Sequence, residues 1–456
     1  MPLLIQETIF DPQLPQIKEL LNALHMRAVL QREMISRRGI GNLFRIDDCR
    51  IVRVKYRPEN SCLITYRLMI TNFDLQAQNS LFITVLACVR GESLSLFRSV
   101  QHQSIIANSL NDGVFHLPVL ESVAWVFPND RKLPGLSALA DPDARQIADV
   151  VERAFGEQWV IDESMSEVVQ YAAESSCITR VDLKLRNQQT GSCESRTIFG
   201  KTYHIDQAGR AWRVLKHLWE CDSESRLFPK PIAYQPEINT IWQCGVVGMP
   251  LGKFYQDATL FPDYIRKTGS AIAALHRIQT PFADLITRDE IISRLARAAR
   301  LISRVRPFRR RQLQRIVENL TDLSDTMRES PVCTLHGDLH MKNLFVTNDG
   351  IVLIDFDDLC RGDPLEDLGS FIAALHYRGK IEGRSYRETE EVVMLFMQAY
   401  RANIELEISE RVLKWHIASA LIYERAYRCI TRLKPVRVEI IDEIIEMAGE
   451  FCSGKI

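Results

Sequence analysis

Asp338, Asn343 and Asp355 have the side-chain types and the spacing to hold a phosphoryl group and its cation. Asp338 stands five residues before Asn343, and Asp355 follows Asn343 by twelve. Between the last two, Leu344 to Val346 and Ile351 to Ile354 are short apolar runs flanking Thr347-Asn348-Asp349-Gly350. That pattern predicts a hairpin whose turn chemistry comes from Asn, Asp and Gly. The hairpin would bring Asn343 and Asp355 together at its open end. Two oxygen donors beside a loop carboxylate suit Mg²⁺ on nucleotide phosphates, with Asp338 orienting an acceptor hydroxyl and taking its proton. Lys342, between Asp338 and Asn343, is placed either to neutralise the moving phosphoryl group or to face solvent. Asp357 and Asp358 add negative charge beside Asp355.

The whole block reads H-G-D-L-H-M-K-N from His336, I-D-F-D-D from Ile354 and G-D-P-L-E-D-L from Gly362. It closely resembles the aminoglycoside phosphotransferase and choline kinase family. The resemblance implies an α+β, protein-kinase-like fold with a β-rich N-lobe and a helical C-lobe. It implies ATP and Mg²⁺ as cofactors and a small-molecule hydroxyl acceptor such as an amino sugar, amino alcohol or sugar. By it, Asp338 is the catalytic Asp, Asn343 and Asp355 are metal ligands, Asp367 is structural, and His336 braces the catalytic loop. Asp363 is expected to cap a helix that opens with Pro364.

The chain as a whole narrows the classes. Its 456 residues suffice for two to four structural units, and 46% apolar with 25% charged residues is ordinary for a globular protein. A net charge of −1 gives no electrostatic case for nucleic-acid or membrane binding. No apolar run approaches membrane-spanning length, and Met1 to Phe10 lacks the basic segment of a leader. The 11 cysteines are dispersed without a C-x-x-C pair or zinc-type spacing, which reads as reduced thiols in a cytoplasmic protein. Oligomeric state stays open.

A repeat precedes the block. Val54 to Asn72 aligns without gaps on Val169 to Asn187 with seven identities, and the similarity continues with Phe82 opposite Phe199, Phe115 opposite Phe228 and Trp125 opposite Trp242. The expected organisation is a helical segment over 1–44, a degenerate N-lobe-like domain over 45–165, a nucleotide-binding N-lobe over 166–244 and a helical C-lobe over 245–456. Lys201, in a strand-like run of the second copy, could reach the α- and β-phosphates as a point charge; Thr84 stands opposite it in the first copy. No Gly-rich loop is present, so phosphate contacts would come from backbone N–H groups and hydroxyls around Ser175 and Ser176. Gln243 to Gly245 matches the adenine-facing hinge of the resembled family by position. The helix after Lys201 offers Ala211, Arg213, Val214 and Leu218 inward, and a carboxylate only at Glu220.

The remainder reads as helices near 264–278, 288–327, 387–402, 409–431 and 437–451. His276 is expected to be structural, the six arginines between Arg304 and Arg315 a solvated face, and the stripe Trp415, His416, Tyr423, Tyr427 core. A cationic acceptor would need an acidic pocket, with Glu366, Glu388, Glu390 and Glu391 as candidates. The rival reading is a catalytically weak pseudokinase serving as a regulatory or partner-binding module. A protein kinase fits less well, because Asp357 stands where D-F-G has Gly.

Overall fold

The computed structural model describes residues 11–36, 44–73, 76–100, 113–140, 144–204, 207–222, 226–328, 330–433 and 435–455. The helical expectation for 1–44 therefore falls partly outside the described residues. The chain forms two compact units, one of residues up to 209 with 232–243 and 431–435, the other of 210–231, 244–430 and 436–456. The expected α+β class, β-rich before helical, is the class observed.

The first unit holds two runs of the same elements. The first run is α1 (Ile17–Leu20), α2 (Ala23–Ser36), β1 (Phe44–Arg57), β2 (Ser61–Asn72), β3 (Ala77–Cys88), α3 (Ser93–Val100), β4 (Val114–Leu117) and β5 (Ser122–Val126). The second is α4 (Leu136–Ala140), α5 (Ala144–Phe155), β6 (Trp159–Ala172), β7 (Ser176–Asn187), β8 (Cys193–Tyr203), α6 (Ala208–Cys221), β9 (Pro231–Gln235) and β10 (Thr240–Cys244), with most of α6 belonging to the second unit. The sheets have matching orders, β1-β2-β3-β5-β4 and β6-β7-β8-β10-β9. Position 166, the expected start of the second lobe, falls inside β6.

Strand register fixes the equivalences better than sequence alignment can. Tyr56 pairs with Cys62 as Tyr171 pairs with Cys177, and both long hairpins carry a bulge one step inside, at Ile46/Asp48 and Ile161/Glu163. On β3, Leu86 pairs with Leu63; on β8, Lys201 pairs with Ile178. Leu86, not Thr84, thus stands in the place of Lys201. The later alignment shifts as well, by one residue at Trp125 and Trp242 and by five at Phe115 and Phe228. A 3₁₀ turn at Pro118–Leu120 precedes β5, and its counterpart at Pro236–Ile238 precedes β10, each closed by a left-handed residue, Glu121 or Asn239. Phe115 lies within β4, whereas Phe228 lies ahead of β9.

Both runs also begin alike. Asp11-x-x-Leu14-Pro15 and Asp130-x-x-Leu133-Pro134 open them. The Asp11 carboxylate accepts from the Tyr56 hydroxyl (2.8 Å), the Glu59 amide (2.8 Å) and the Gln13 amide (3.0 Å). Asp130 does the same for Tyr171 (2.7 Å), Glu174 (2.9 Å) and Lys132 (2.8 Å). Each Asp ties the tip of the first hairpin to the segment before it. At the tips, Glu59 (φ 62°) and Glu174 (φ 59°) are left-handed, a conformation that the amide-to-Asp bond holds in place. Between the sheets lies one apolar core drawn from both: Leu63, Leu86 and Trp125 with Tyr171, Val181 and Trp242, and the α4–α5 residues Leu136, Leu139 and Val150. Asp130→Ala strips the buried Tyr171 hydroxyl and the Glu174 amide of their acceptor. It is expected to lower unfolding free energy by about 2–6 kcal/mol, counting about 1–3 kcal/mol per orphaned group, as read by urea denaturation. Asp11→Ala should behave alike.

In the second unit, β11 (Met249–Pro250), β13 (Leu344–Val346) and β14 (Ile351–Leu353) form a three-stranded sheet, and β12 (Cys333–Leu335) pairs with β15 (Cys360–Gly362). Helices α7 (Phe261–Arg277), α8 (Arg288–Val305), α9 (Arg310–Ser324), α10 (Pro364–Glu382), α11 (Tyr386–Arg401), α12 (Glu410–Ala420), α13 (Tyr427–Arg432), α14 (Pro435–Glu439) and α15 (Ile441–Ser453) make up the rest. Helix α10 is buried on nearly every side along its first three turns, and its cap is the expected one: Asp363 Oδ1 accepts from the Leu365 amide at 2.9 Å, with Pro364 in the first turn. A π-helical stretch, Leu421–Ala426, separates α12 from α13. The expected solvated arginine face is in part a brace, since Arg309 donates to Asp442 (2.9 Å) and Glu446 (2.7 Å) on α15. Among the described residues no helix is long and apolar enough to cross a membrane.

Candidate active site

The hairpin predicted around Asn348-Asp349-Gly350 forms, with Leu344 opposite Leu353 and Val346 opposite Ile351. Its turn is closed by Thr347, whose amide donates to the Gly350 carbonyl (2.8 Å) and whose hydroxyl accepts from the Asp349 and Gly350 amides (3.2 Å each). At the open end the Ile354 amide donates to the Asn343 carbonyl (3.0 Å), which sets Asp355 one residue beyond Asn343's partner. The Asn343 side chain is buried, and its amide nitrogen donates to the Asp338 carbonyl at 3.0 Å. That bond orients the remaining Asn343 side-chain atom, a carbonyl oxygen, as the free ligand-type donor. Asp355 is exposed and left-handed, at φ 69°. One loop and one hairpin thus gather Asp338, Asn343 and Asp355.

The loop that carries Asp338 hangs on Asp367. Its buried carboxylate accepts from the amides of His336 (2.6 Å) and Gly337 (3.0 Å), and His276 Nε2 lies 3.3 Å away. Burial alone would raise the Asp367 pKa, but the hydrogen bond and charge of His276 and the loop amides hold it below the usual carboxylate range. His276 shares its other ring nitrogen with the Tyr400 hydroxyl (2.8 Å), the structural role expected of it. His336 Nε2 donates to the Ile354 carbonyl (3.0 Å), joining the catalytic loop to the hairpin. A residue that the sequence reading passed over completes the frame. Arg210 of α6 donates to the carbonyls of Asp357 (3.0 Å) and Leu359 (2.8 Å), bracing the backbone just after Asp355.

Asp338 is itself ion-paired. Its Oδ1 accepts from Arg428 Nη2 at 2.8 Å, and His340 Nε2 lies 3.6 Å from Oδ2. Burial would push its carboxyl up; Arg428, His340 and Arg425 together hold it at about 2. Burial also brings His340 down to about 4, so that ring is neutral near pH 7. Lys342 is exposed over most of its side chain, yet partial desolvation of its ammonium and then the charges of Arg437 and Arg378 depress its pKa. Asp358 moves the opposite way: burial, then the negative charges of Asp338, Asp357 and Asp355, raise it. The loop after Asp355 therefore carries concentrated negative charge, and its donors are hard oxygens, a set that suits Mg²⁺. Among the described residues no three His, Cys, Asp or Glu side chains form a metal cage, so an ion held by Asn343 and Asp355 would need further oxygens from a ligand or water.

The other expected site residues distribute as follows. Lys201 is half-buried on β8, its ammonium 4.8 Å from the centroid of the Tyr203 ring. Gln243 lies on β10, and Gly245 in the irregular stretch after it. At the turn expected to offer N–H groups and hydroxyls to phosphates, around Ser175 and Ser176, amides are bonded within the chain. The Ser175 amide donates to the Ala172 carbonyl (2.9 Å), the Glu174 amide to Asp130, and Ser176 is a buried residue of β7 paired with Tyr203. Arg131 (2.6 Å) and Lys132 (3.3 Å) pair with the Glu174 carboxylate and fasten the same tip. Glu220 pairs with Lys216 at 3.7 Å on its own helix.

The four glutamates proposed for a cationic acceptor all have structural partners. Glu366 accepts from the Tyr423 hydroxyl and bonds His416 Nδ1 (2.7 Å); Glu388 closes a capping box with Ser385; Glu390 pairs with His376 (3.0 Å) and Glu391 with Arg387 (3.5 Å). Of the stripe expected as core, Trp415 and His416 are buried, while Tyr423 and Tyr427 are half-buried. Burial opposes protonation of His416, but Asp363 and Glu366 override it and raise its pKa to about 9. A folded pKa above the unfolded value of about 6.5 gives stability that is complete below about pH 6.5 and lost as pH rises through about 9. Urea midpoints should therefore fall between pH 6 and pH 9.5, and His416→Gln should flatten that slope.

Comparison with known proteins adds a separate observation. Residues 201–400 match the phosphotransferase enzyme family. The match begins at Lys201, near the end of β8, includes the whole block from His336 to Leu368, and bears out the resemblance drawn from the block's motifs. Among solved structures, a choline/ethanolamine kinase family protein from Mesorhizobium loti is 14% identical, with 68% of this chain and 94% of that chain covered at a TM-score of 0.40. A choline kinase from Cryptosporidium parvum is 12% identical, covering 68% and 97% at 0.47. An ADP-bound aminoglycoside phosphotransferase is 14% identical, covering 68% and 99% at 0.44. No curated protein matches the chain significantly.

Proposed function

We propose that the protein is an ATP-dependent phosphotransferase that moves the γ-phosphoryl group to a hydroxyl of a small molecule. The observation that carries this reading is the junction of catalytic loop and hairpin, where Asn343 bonds the Asp338 carbonyl and the Ile354 amide bonds Asn343. Asn343 and Asp355 would hold Mg²⁺, which when bound offsets charge on the phosphates. Asp338 positions the acceptor hydroxyl and takes its proton. Lys342 faces the transferred group, Lys201 the α- and β-phosphates, and Gln243 to Gly245 the base of the nucleotide. Because little covalent chemistry is asked of the protein, positioning and fixed charge supply the rate.

Calorimetric titration with ATP tests this. Wild type should bind with Mg²⁺ more tightly than without it, and Asp355→Asn should lose that Mg²⁺-dependent increment. No binding by wild type would refute the reading. The bonded β6/β7 tip favours a second reading, a catalytically weak nucleotide-binding module. It predicts ATP binding without transfer to any hydroxyl acceptor.

A further inference from the structure

The two carboxylate oxygens of Asp338 differ in what they meet. Oδ1 accepts from Arg428 Nη2 at 2.8 Å. Oδ2 accepts no hydrogen bond among the described residues; His340 Nε2, 3.6 Å away, stands outside hydrogen-bond reach. Arg428 lies among several acids, since the charges of Glu424 and Asp358 act on it as well. Glu424, however, is taken by Arg425 (2.9 Å) and the Ser370 hydroxyl (3.0 Å), and the hydrogen bond of Arg428 goes to Asp338. One short stretch of α10, residues 366–370, fixes both partners. Asp367 holds the amides of His336 and Gly337, just ahead of Asp338. Ser370 holds Glu424 by its hydroxyl and Arg425 by its carbonyl (3.1 Å), and Glu366 accepts from the Tyr423 hydroxyl. Tyr423, Glu424 and Arg425 belong to the π-helical stretch Leu421–Ala426. A π turn holds more residues than an α turn and so redirects the helix after it, a device that recurs at functional sites. Here the helix after it is α13, which carries Arg428.

We infer that Arg428 is a positioning residue for the transfer: by holding Oδ1 it leaves Oδ2 as the oxygen of Asp338 that meets the acceptor hydroxyl. The inference rests on the phosphotransferase reading and adds a residue to it. The terminal torsion of an Asp side chain is soft, so a free carboxylate presents either oxygen over a wide arc. A charge-assisted bond to one oxygen removes that freedom and gives the other a single direction. Because α10 anchors both the loop of Asp338 and the stretch before Arg428, that direction is set by the frame and not by the acceptor. In the transfer the acceptor oxygen forms a bond to γ-phosphorus, the bond from γ-phosphorus to the β,γ-bridging oxygen breaks, ADP leaves, and the hydroxyl proton passes to Oδ2. Arg428 acts through Asp338 alone.

The test is steady-state transfer from ATP with Mg²⁺ to glucosamine, ethanolamine and glucose, with hydrolysis of ATP, water serving as acceptor, measured beside them. Arg428→Gln should lower kcat about 10²-fold, the cost of a misplaced reacting group. Its calorimetric Kd for ATP with Mg²⁺ should stay within about twofold of wild type, the usual independence of separate sites. Arg428→Lys keeps a cation without the directed guanidinium plane and should recover about tenfold of the loss. The readout special to positioning is a double-variant cycle. Asp338→Asn leaves no base to aim, so adding Arg428→Gln to it should lower kcat by no more than about twofold. A residue that merely braces the fold would multiply the two losses. Thermal unfolding checks each variant; where Arg428→Gln does not fold, Arg428→Lys carries the same cycle, its own loss vanishing beside Asp338→Asn. The inference is overturned if Arg428→Gln keeps wild-type kcat, if its loss is undiminished beside Asp338→Asn, or if ATP affinity falls as far as kcat. A wild type that binds no ATP, or binds it and neither transfers nor hydrolyses, overturns the phosphotransferase reading itself, and the inference falls with it.

Discussion

Asp338→Asn is expected to lower turnover by about 10²–10⁴, the usual contribution of a positioned general base, while nucleotide affinity changes little. The Asn side chain keeps the shape and can still accept from Arg428, but it cannot take the acceptor proton. With the native carboxyl held at about 2, Asp338 is fully ionised at pH 7, so the wild-type rate should show no acid limb from this group down to about pH 3. On the proposed reading Arg428 keeps the carboxylate deprotonated, and Asp338 would orient the hydroxyl through its other oxygen and take the proton late. Steady-state kinetics on wild type and variant with the best acceptor, beside calorimetric ATP binding, measure both parts. Wild-type turnover in Asp338→Asn would place the base elsewhere.

What was legible in the sequence was local. The hairpin at 344–353 follows from two apolar runs and a four-residue turn, and Asn343 and Asp355 flank it whatever else the chain does. Asp363 before Pro364 announces a helix start by the same short-range logic. The repeated β-rich segment was legible as well, because Val54 to Asn72 and Val169 to Asn187 align without gaps. The equivalence of Lys201 was legible too, had the ungapped alignment been continued: it pairs Leu86 with Lys201, as the ladders do, whereas matching Phe82 to Phe199 slips the strand by two residues and the ladders place Phe199 opposite Thr84's position. The bonding of the tip at Ser175 and Ser176 is long-range. Asp130, more than forty residues upstream, engages the amide and the tyrosine of that tip. Its signal was nonetheless present in the sequence, since Asp-x-x-Leu-Pro recurs at Asp11 and Asp130. Arg428 left no such trace. It reaches Asp338 from α13, which follows the π-helical stretch at 421–426, and an uninterrupted 3.6-residue periodicity drawn through 409–431 would not carry α13 onto the same face.

The largest loss of stability from a single methyl group is expected at Gly337. Its φ is +78°, and a Cβ there would lie 2.1 Å from the Asp358 carbonyl oxygen and 2.8 Å from its carbon. The obstacle is backbone, in the turn that Arg210 already braces through the carbonyls on either side, at Asp357 and Leu359. The loop cannot move the other way without stretching the Gly337 amide from Asp367. Gly383 separates the two causes of strain. It has nearly the same φ, +75°, but nothing lies within 4 Å of its added Cβ. Gly383→Ala should therefore show the left-handed penalty alone, about 1 kcal/mol. Gly337→Ala should add a steric term and the disturbed bond to a buried carboxylate, for a total of about 4 kcal/mol or more, the range reserved for such combined defects. Urea denaturation of the two variants gives both numbers. Turnover should fall with Gly337→Ala and stay with Gly383→Ala, because Gly337 sets the backbone that aims Asp338. Equal losses of stability in the two would mean that the Asp358 turn yields, and that the catalytic loop is held less firmly than its bonds to Asp367 imply.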